Sequence, residues 1–334
     1  MGPQELIPWP MADLMDDRNP QVPWTAEQWN LLNRVVQQEA ARARSAANFL
    51  PLVGPLASDV DFVRANLLLE PPHRQAETAA TNPNPPIGFG VLDRDVIQLA
   101  SLQVTVPVRS AQMADPELES VQLLFRRAAN VLARLEDFLV FQGQPAAGRA
   151  PALAYEKLPP IWTITGGGAN PGLYPKDDPN RLINPYGQKH TDDIDKIQPG
   201  SLLVSLVSEA IGRLEDAGQF GPFALVLGQG LFTEAQTPNA QSLVLPQDRI
   251  LPFLGSGGSL LRSSTLAPHS GVLLALAGQP VELVVASDMA VSFLQITPDP
   301  AYLFRISEKI CLRIRQPQAI LGIDLSRKVT PVAK

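Results

Sequence analysis

Residues 115–142 carry apolar side chains at helical spacing along their whole length, and a helix that long commits the rest of the chain to pack around it. Leu118, Val121, Leu124, Phe125, Ala128, Leu132, Leu135 and Leu139 make one broad face. Arg126, Arg127, Arg134, Glu136 and Asp137 lie mostly off it. Asp115 is a suitable cap, Pro116 suits a first helical position, and Gly143 is a natural stop. The segment predicts a spine helix.

A different period governs residues 302–315. Tyr302, Phe304, Ile306, Ile310, Leu312 and Ile314 alternate with Arg305, Ser307, Lys309, Arg313 and Arg315, which predicts a strand with one buried and one polar face. Glu308 falls on the apolar parity, so it needs a partner or an interface. Cys311 falls on the polar parity with no histidine near it in sequence, and reads as an inert or interface thiol. Further strands are expected at Phe223–Leu227, Gly271–Ala277, Val281–Ala286 and Val291–Ile296. A helix is expected over 25–48, opened by a Thr25/Gln28 capping box and striped by Trp29, Leu32, Val36, Ala40, Ala43 and Ala47. Another is expected over about 200–217. Residues 57–106 read as a long two-stranded excursion with a proline-rich tip. Such an excursion cannot bury a core alone, so it calls for a partner, another subunit among the candidates. Residues 1–24 read as a proline-rich arm whose Trp9 and Trp24 favour docking, and 144–198 as loop-rich. The class is α+β, in two domains with an arm and a projecting loop.

Chemistry is scarce. With 27 Lys+Arg against 33 Asp+Glu the net charge is −6, so a generally basic nucleic-acid footprint is missing. One cysteine excludes a disulfide framework, and three scattered histidines, His73, His190 and His269, show no metal-ligand spacing. Gly166-Gly-Gly168 lacks the strand and the Gly-Lys-Ser/Thr of a phosphate loop and reads as a turn. His269-Ser270 has no orienting acid at a recognisable spacing. No catalytic residue, metal or cofactor is expected. Neither a signal segment nor an apolar run long enough to span a membrane is read, and a cytoplasmic location is the expectation.

The order of these elements and several local phrases resemble the encapsulin family, shell proteins built on the Hong Kong 97-type phage major capsid fold and related to linocin-type bacteriocins. The phrases are Pro23-Trp-Thr-Ala-Glu-Gln-Trp29, Phe49-Leu-Pro-Leu-Val-Gly-Pro55, Leu135-Glu-Asp-Phe-Leu-Val-Phe-Gln-Gly143, Gly221-Pro-Phe-Ala-Leu-Val-Leu-Gly228, Val281-Glu-Leu-Val-Val-Ala-Ser-Asp288, Arg305-Ile-Ser-Glu-Lys-Ile-Cys-Leu-Arg-Ile314 and Gln316-Pro-Gln-Ala-Ile320. They cover about residues 22–325.

The resemblance implies an N-terminal arm at 1–24, a P-domain drawn from 25–56, 107–150 and 298–334, an E-loop at 57–106, and an A-domain at 151–297. Residues of about 162–190 look like an insertion in that A-domain. It also implies self-assembly into an icosahedral shell of on the order of 60 subunits or an allowed multiple. The shell would enclose a cargo enzyme bearing a terminal targeting peptide, a peroxidase or ferritin-like iron oxidase in related compartments, with neither membrane nor nucleic acid as partner. Cargo would dock on Leu31, Leu32, Arg34 and Val35 of the first helix, helped by Ile320 and Leu321, unless Leu32 and Val35 are simply core. A pore loop at Thr233–Gln247 would offer Glu234, Gln236, Thr237, Asn239 and Gln241. Two rival readings stay open: a phage or prophage major capsid protein, and an enzyme with its site in the glycine-rich insertion.

Overall fold

A computed structural model describes residues 22–70, 89–144, 158–168, 171–176, 178–187, 197–238, 244–299 and 301–326. The first helix, α1, spans Ala26–Ala43. Its capping box forms as the sequence predicts: the Gln28 amide donates to Thr25 Oγ1 at 3.2 Å and the Thr25 amide donates to Gln28 Oε1 at 2.9 Å. Helix α1 ends earlier than expected, and a short 3-10 turn at Ala46–Asn48 follows it. The spine helix α3 (Glu119–Gln142) follows a one-turn helix α2 (Ser110–Met113) and starts later than its hydrophobic pattern suggests. Pro116 lies in the connecting turn. The Asp115 carboxylate accepts from the amides of Glu117 and Glu119, at 3.1 and 3.0 Å, so it caps across the turn. Gly143 ends the helix at φ +77, a backbone conformation that suits glycine.

Five strands make the first sheet, in the order β1 (Leu52–Val53), β12 (Val281–Ile296), β13 (Ala301–Ile314), β6 (Ala100–Arg109), β7 (Trp162–Gly166). The two strands expected over 281–296 are one strand, β12, which tracks antiparallel to β13 from Val281↔Ile314 to Ile296↔Tyr302. Register shifts between Val285 and Ala290 mark bulges, and this irregular stretch is what parts the two hydrophobic runs in the sequence. The apolar parity of β13 faces α1 and α3. Phe304, fully buried, stacks on Trp24 at 4.7 Å and meets Phe125 and Phe293 edge-on, each at 5.6 Å. Trp24 and Val22 are thereby docked in the core, as expected for the end of the arm. Trp9 lies outside the described residues.

The opposite face of β13 is covered by the root of the projecting loop. Here β2 (Phe62–Arg64) pairs with β5 (Val96–Gln98), and β3 (Leu67–Leu69) pairs with β4 (Gly90–Leu92). The basic residues of β13 grip this root. Lys309 Nζ donates to Asp61 Oδ1 at 2.6 Å and to the Ser58 carbonyl at 3.1 Å. Arg313 pairs with Glu282 while donating to the Arg64 carbonyl at 3.4 Å. Cys311 is buried in the same layer, among Leu99, Val284 and Ala286 and against Leu56, Val63 and Ile97. Burial pushes its thiol up to about 12. Native Cys311 is therefore expected to leave a thiol reagent such as DTNB unreacted over an hour at pH 8, and to react stoichiometrically once denatured. Rapid native labelling would place the loop root elsewhere.

The second sheet runs β10 (Ser259–Arg262), β9 (Phe223–Leu227), β11 (Ser270–Ala275), β14 (Ile320–Asp324), β8 (Leu182–Ile183). It carries α4 (Pro199–Asp216), α5 (Gln229–Gln236) and α6 (Pro246–Ile250). The division expected at residue 297 cuts across these sheets. Strand β12 belongs to the first sheet, while β14, expected with the spine helix, returns to pair antiparallel with β11. A hydrophobic run does not say which sheet will take it, and β14 finds its place through a partner more than forty positions away. Strand β7 runs directly into Gly166, so these glycines do follow a strand, contrary to the sequence reading, and Gly166 and Gly167 then take φ +68 and +69.

Candidate assembly surfaces and a buried ionic hub

The projecting loop keeps large apolar side chains in water. Phe89 is 78% exposed, Val96 60%, Val91 57% and Phe62 55%. Two-stranded ladders of three residues do not hold such groups in place without cover. The tip at 71–88 lies outside the described residues.

Where the loop leaves the body, the chain gathers a set of charges that are enclosed except for Asp288. Arg44, just past α1, reaches between α3, β12 and β13. Its Nε lies 2.5 Å from Glu136 Oε2, and its Nη2 lies 2.5 Å from Glu308 Oε2 and 2.9 Å from Asp288 Oδ1. Beside them Asp137 accepts from the Ser45 amide at 3.0 Å and from the Ala46 amide at 2.9 Å, which pins the chain where it departs from α1. Glu136, Asp137 and Glu308 are each at most 2% exposed. Burial opposes the Arg44 charge, but Glu136, Glu308 and Asp288 override it and hold the guanidinium protonated. Burial lifts Glu136 well above the carboxylate range, with the Glu308 charge adding to the effect. Burial also lifts Glu308 to about 7 against the pull of Arg44, and Asp137 to about 6 against its backbone donors. The parity of Glu308 points to a partner in the sequence. Arg44 and Asp288 carry no such signal, and Glu136 and Asp137, read as off the apolar face, are in fact enclosed.

On α1, Leu32 and Val35 are buried against the body, Leu31 is half-buried and Arg34 is exposed. Ile320 and Leu321 are buried in β14, opposite Leu274 and Leu273. Helix α1 packs on α3 and β12, whereas β14 packs within the second sheet and on α4. The structure therefore does not gather the expected docking residues on one surface. Four of them are core, and Leu31 and Arg34 keep accessible atoms. The expected pore loop is partly helical. Helix α5 takes Glu234 and Gln236 and is followed by Thr237, whose hydroxyl donates to the Thr233 carbonyl at 2.8 Å. Glu234 is half-buried, while Gln236 and Thr237 are exposed. Asn239 and Gln241 lie outside the described residues. Ser270 Oγ donates to Tyr174 Oη at 3.3 Å.

The model of a family described as encapsulating protein for peroxidase matches residues 15–153 and 187–311, most of the chain. The chain belongs to this family. Among its relatives is the type 1 encapsulin shell protein EncA of Myxococcus xanthus (strain DK1622), 24% identical over 311 residues and covering 90% of this chain and 94% of the relative. The fold matches a virus-like particle from Pyrococcus furiosus at a TM-score of 0.59, with 16% identity over 89% of this chain and 100% of the other. It also matches the capsid of Myoviridae phage XM1 at 0.54, with 14% identity over 83% of this chain and 90% of the other. The architecture is the α+β, Hong Kong 97-type capsid fold.

The projecting segment is the one expected to be the E-loop, and the spine helix packs on the same sheet that its root covers. The family match leaves 154–186 uncovered, a stretch close to the insertion expected at about 162–190. It supplies β7 to the edge of the first sheet beside β6, and β8 to the edge of the second beside β14. One unmatched stretch thus supplies a short edge strand to each sheet. Among the described residues no helix is long and apolar enough to cross a membrane.

Proposed function

We propose that this encapsulin assembles into a closed icosahedral shell that encloses a cargo protein bearing a terminal targeting peptide, and that the shell itself does no chemistry. The observation that carries the reading is the E-loop, whose Phe62, Phe89, Val91 and Val96 are exposed on a ladder that needs cover, in a chain of the encapsulating family. A neighbouring subunit is the cover that repeats, and repetition of one interface that closes on itself makes a shell. The peroxidase in the family description and the encapsulin relative favour a protein cargo over a packaged genome.

Cargo contact, on this reading, narrows to Leu31 and Arg34 on the outer side of α1, since Leu32, Val35, Ile320 and Leu321 serve the core. The reading keeps the end of α5 and the loop after it as the pore rim, with Glu234, Gln236 and Thr237 supplying a weakly acidic, polar lining. Glu234→Lys is then expected to slow cation entry into loaded shells severalfold, followed by stopped-flow quenching of an enclosed dye, and an unchanged rate would remove the assignment. The identity of the contents is tested by purifying the protein from its native host and analysing it by mass spectrometry and nucleic-acid extraction. A co-purifying enzyme supports the compartment, and a protected genome would favour a phage capsid instead.

A further inference from the structure

The hub around Arg44 has more acid than base. Arg44 at the end of α1 faces Glu136 from α3, Asp288 from β12 and Glu308 from β13, with Asp137 of α3 adjoining. Asp288 is open to water, but Glu136 and Glu308 are closed to it, and two enclosed carboxyls against one guanidinium leave an excess of acid there. Glu308 Oε1 finds no hydrogen-bond donor among the described side chains and backbone amides. What lies beside Glu308 is the Glu136 carboxyl, in hydrogen-bonding reach of it. Two ionised carboxylates cannot bond to each other, so a proton between them supplies the donor that the hub lacks.

We propose that this buried hub is a proton-loaded latch: with the Glu136–Glu308 pair protonated it clamps α1, the spine helix and the β12–β13 hairpin together, and losing a proton as the pH rises loosens the junction where the E-loop departs. The position gives the latch its leverage. Arg44 is followed by Ser45 and Ala46, whose amides are held by Asp137, and then by β1 and the E-loop root. On the same strand as Glu308 the next residue, Lys309, points to the other face and holds Asp61 and Ser58 of that root. Both grips lie on adjacent residues of β13.

The direction follows from where the groups titrate. Burial raises Glu308 to about 7, above its unfolded value, so the native state binds the extra proton. Its stabilisation is fully present below the unfolded carboxylate range and is lost as pH rises to about 7. Asp137, raised to about 6, acts with the same sign over a lower window.

The test is hydrogen exchange of the backbone amides of residues 44–50, corrected for intrinsic rate. It is read on the purified protein in whatever oligomeric state it holds, so the outcome does not depend on shell formation. Between pH 6 and 8 the corrected exchange is expected to rise about twentyfold, about tenfold from Glu308 and about twofold from Asp137. In Glu308→Gln, which keeps the shape and a permanent donor, the rise is expected to shrink to about twofold, the share left to Asp137. A flat wild-type profile would overturn the latch even if the variant failed to fold. So would a rise in Glu308→Gln as large as in the wild type. Particle integrity over the same pH range, followed by light scattering, separates the latch from the shell: exchange that responds to pH in a protein that forms no particles would sustain the latch and sink the shell.

Discussion

Arg44→Met is expected to cost the fold about 3–5 kcal/mol, the usual penalty for removing one partner from a buried ion pair. Methionine fills similar space, so little of the loss comes from packing. It comes from Glu136 and Glu308, which are at most 1% exposed and would keep their carboxyls without the guanidinium that touches both. The variant is expected to unfold at clearly lower urea concentration with an unchanged dependence on denaturant. Because more protons must then be bound to keep the hub neutral, its deficit should shrink as pH falls from 8 to 5. A loss under about 1 kcal/mol, or a deficit that grows on acidification, would mean that Arg44 does not hold these acids together.

Phe89→Asp combined with Val91→Asp is expected to abolish particles while leaving the chain folded. The two side chains are 78% and 57% exposed within one chain, so neither supports its own fold. Covered by a neighbour, each apolar group of this size contributes about 1.5–3 kcal/mol, and burying a carboxylate there instead adds a further penalty. The loss recurs at every E-loop contact around a shell. Size-exclusion chromatography should show the variant as a small species, with circular dichroism and melting temperature like those of unassembled wild-type chain. Particles in normal yield would show that this face of the E-loop is not an assembly contact.

What was legible in the sequence is what a local pattern can encode. The spacing of Val121, Phe125, Ala128, Leu132, Leu135 and Leu139 is enough to define the spine helix, and the alternation from Tyr302 to Ile314 defines the long strand. Thr25 and Gln28 announce the start of α1. Less visible was anything that depends on a distant partner. The polar face of β13 looks solvent-facing in sequence, yet Lys309 and Arg313 hold the E-loop root and Cys311 is sealed beneath it. Strands β10, β14 and β8 form because β9, β11 and β14 respectively offer them edges. Bulges in β12 broke its pattern into two pieces. At the candidate surfaces, the apolar character of Leu32, Val35, Ile320 and Leu321 was correct but its use was ambiguous, since a docking face and a core face have the same composition. The hub was half legible: a glutamate on an apolar parity signals a partner, but nothing local says that the partner is an arginine more than two hundred and sixty positions earlier.

This chain, with no other protein, is expected to close into a shell. Expressing it alone and imaging the purified product by electron microscopy tests that most directly. Closed, hollow, spherical particles of uniform diameter are the predicted result. A preparation that holds only monomers or small open oligomers, at concentrations where the chain is folded, would contradict it.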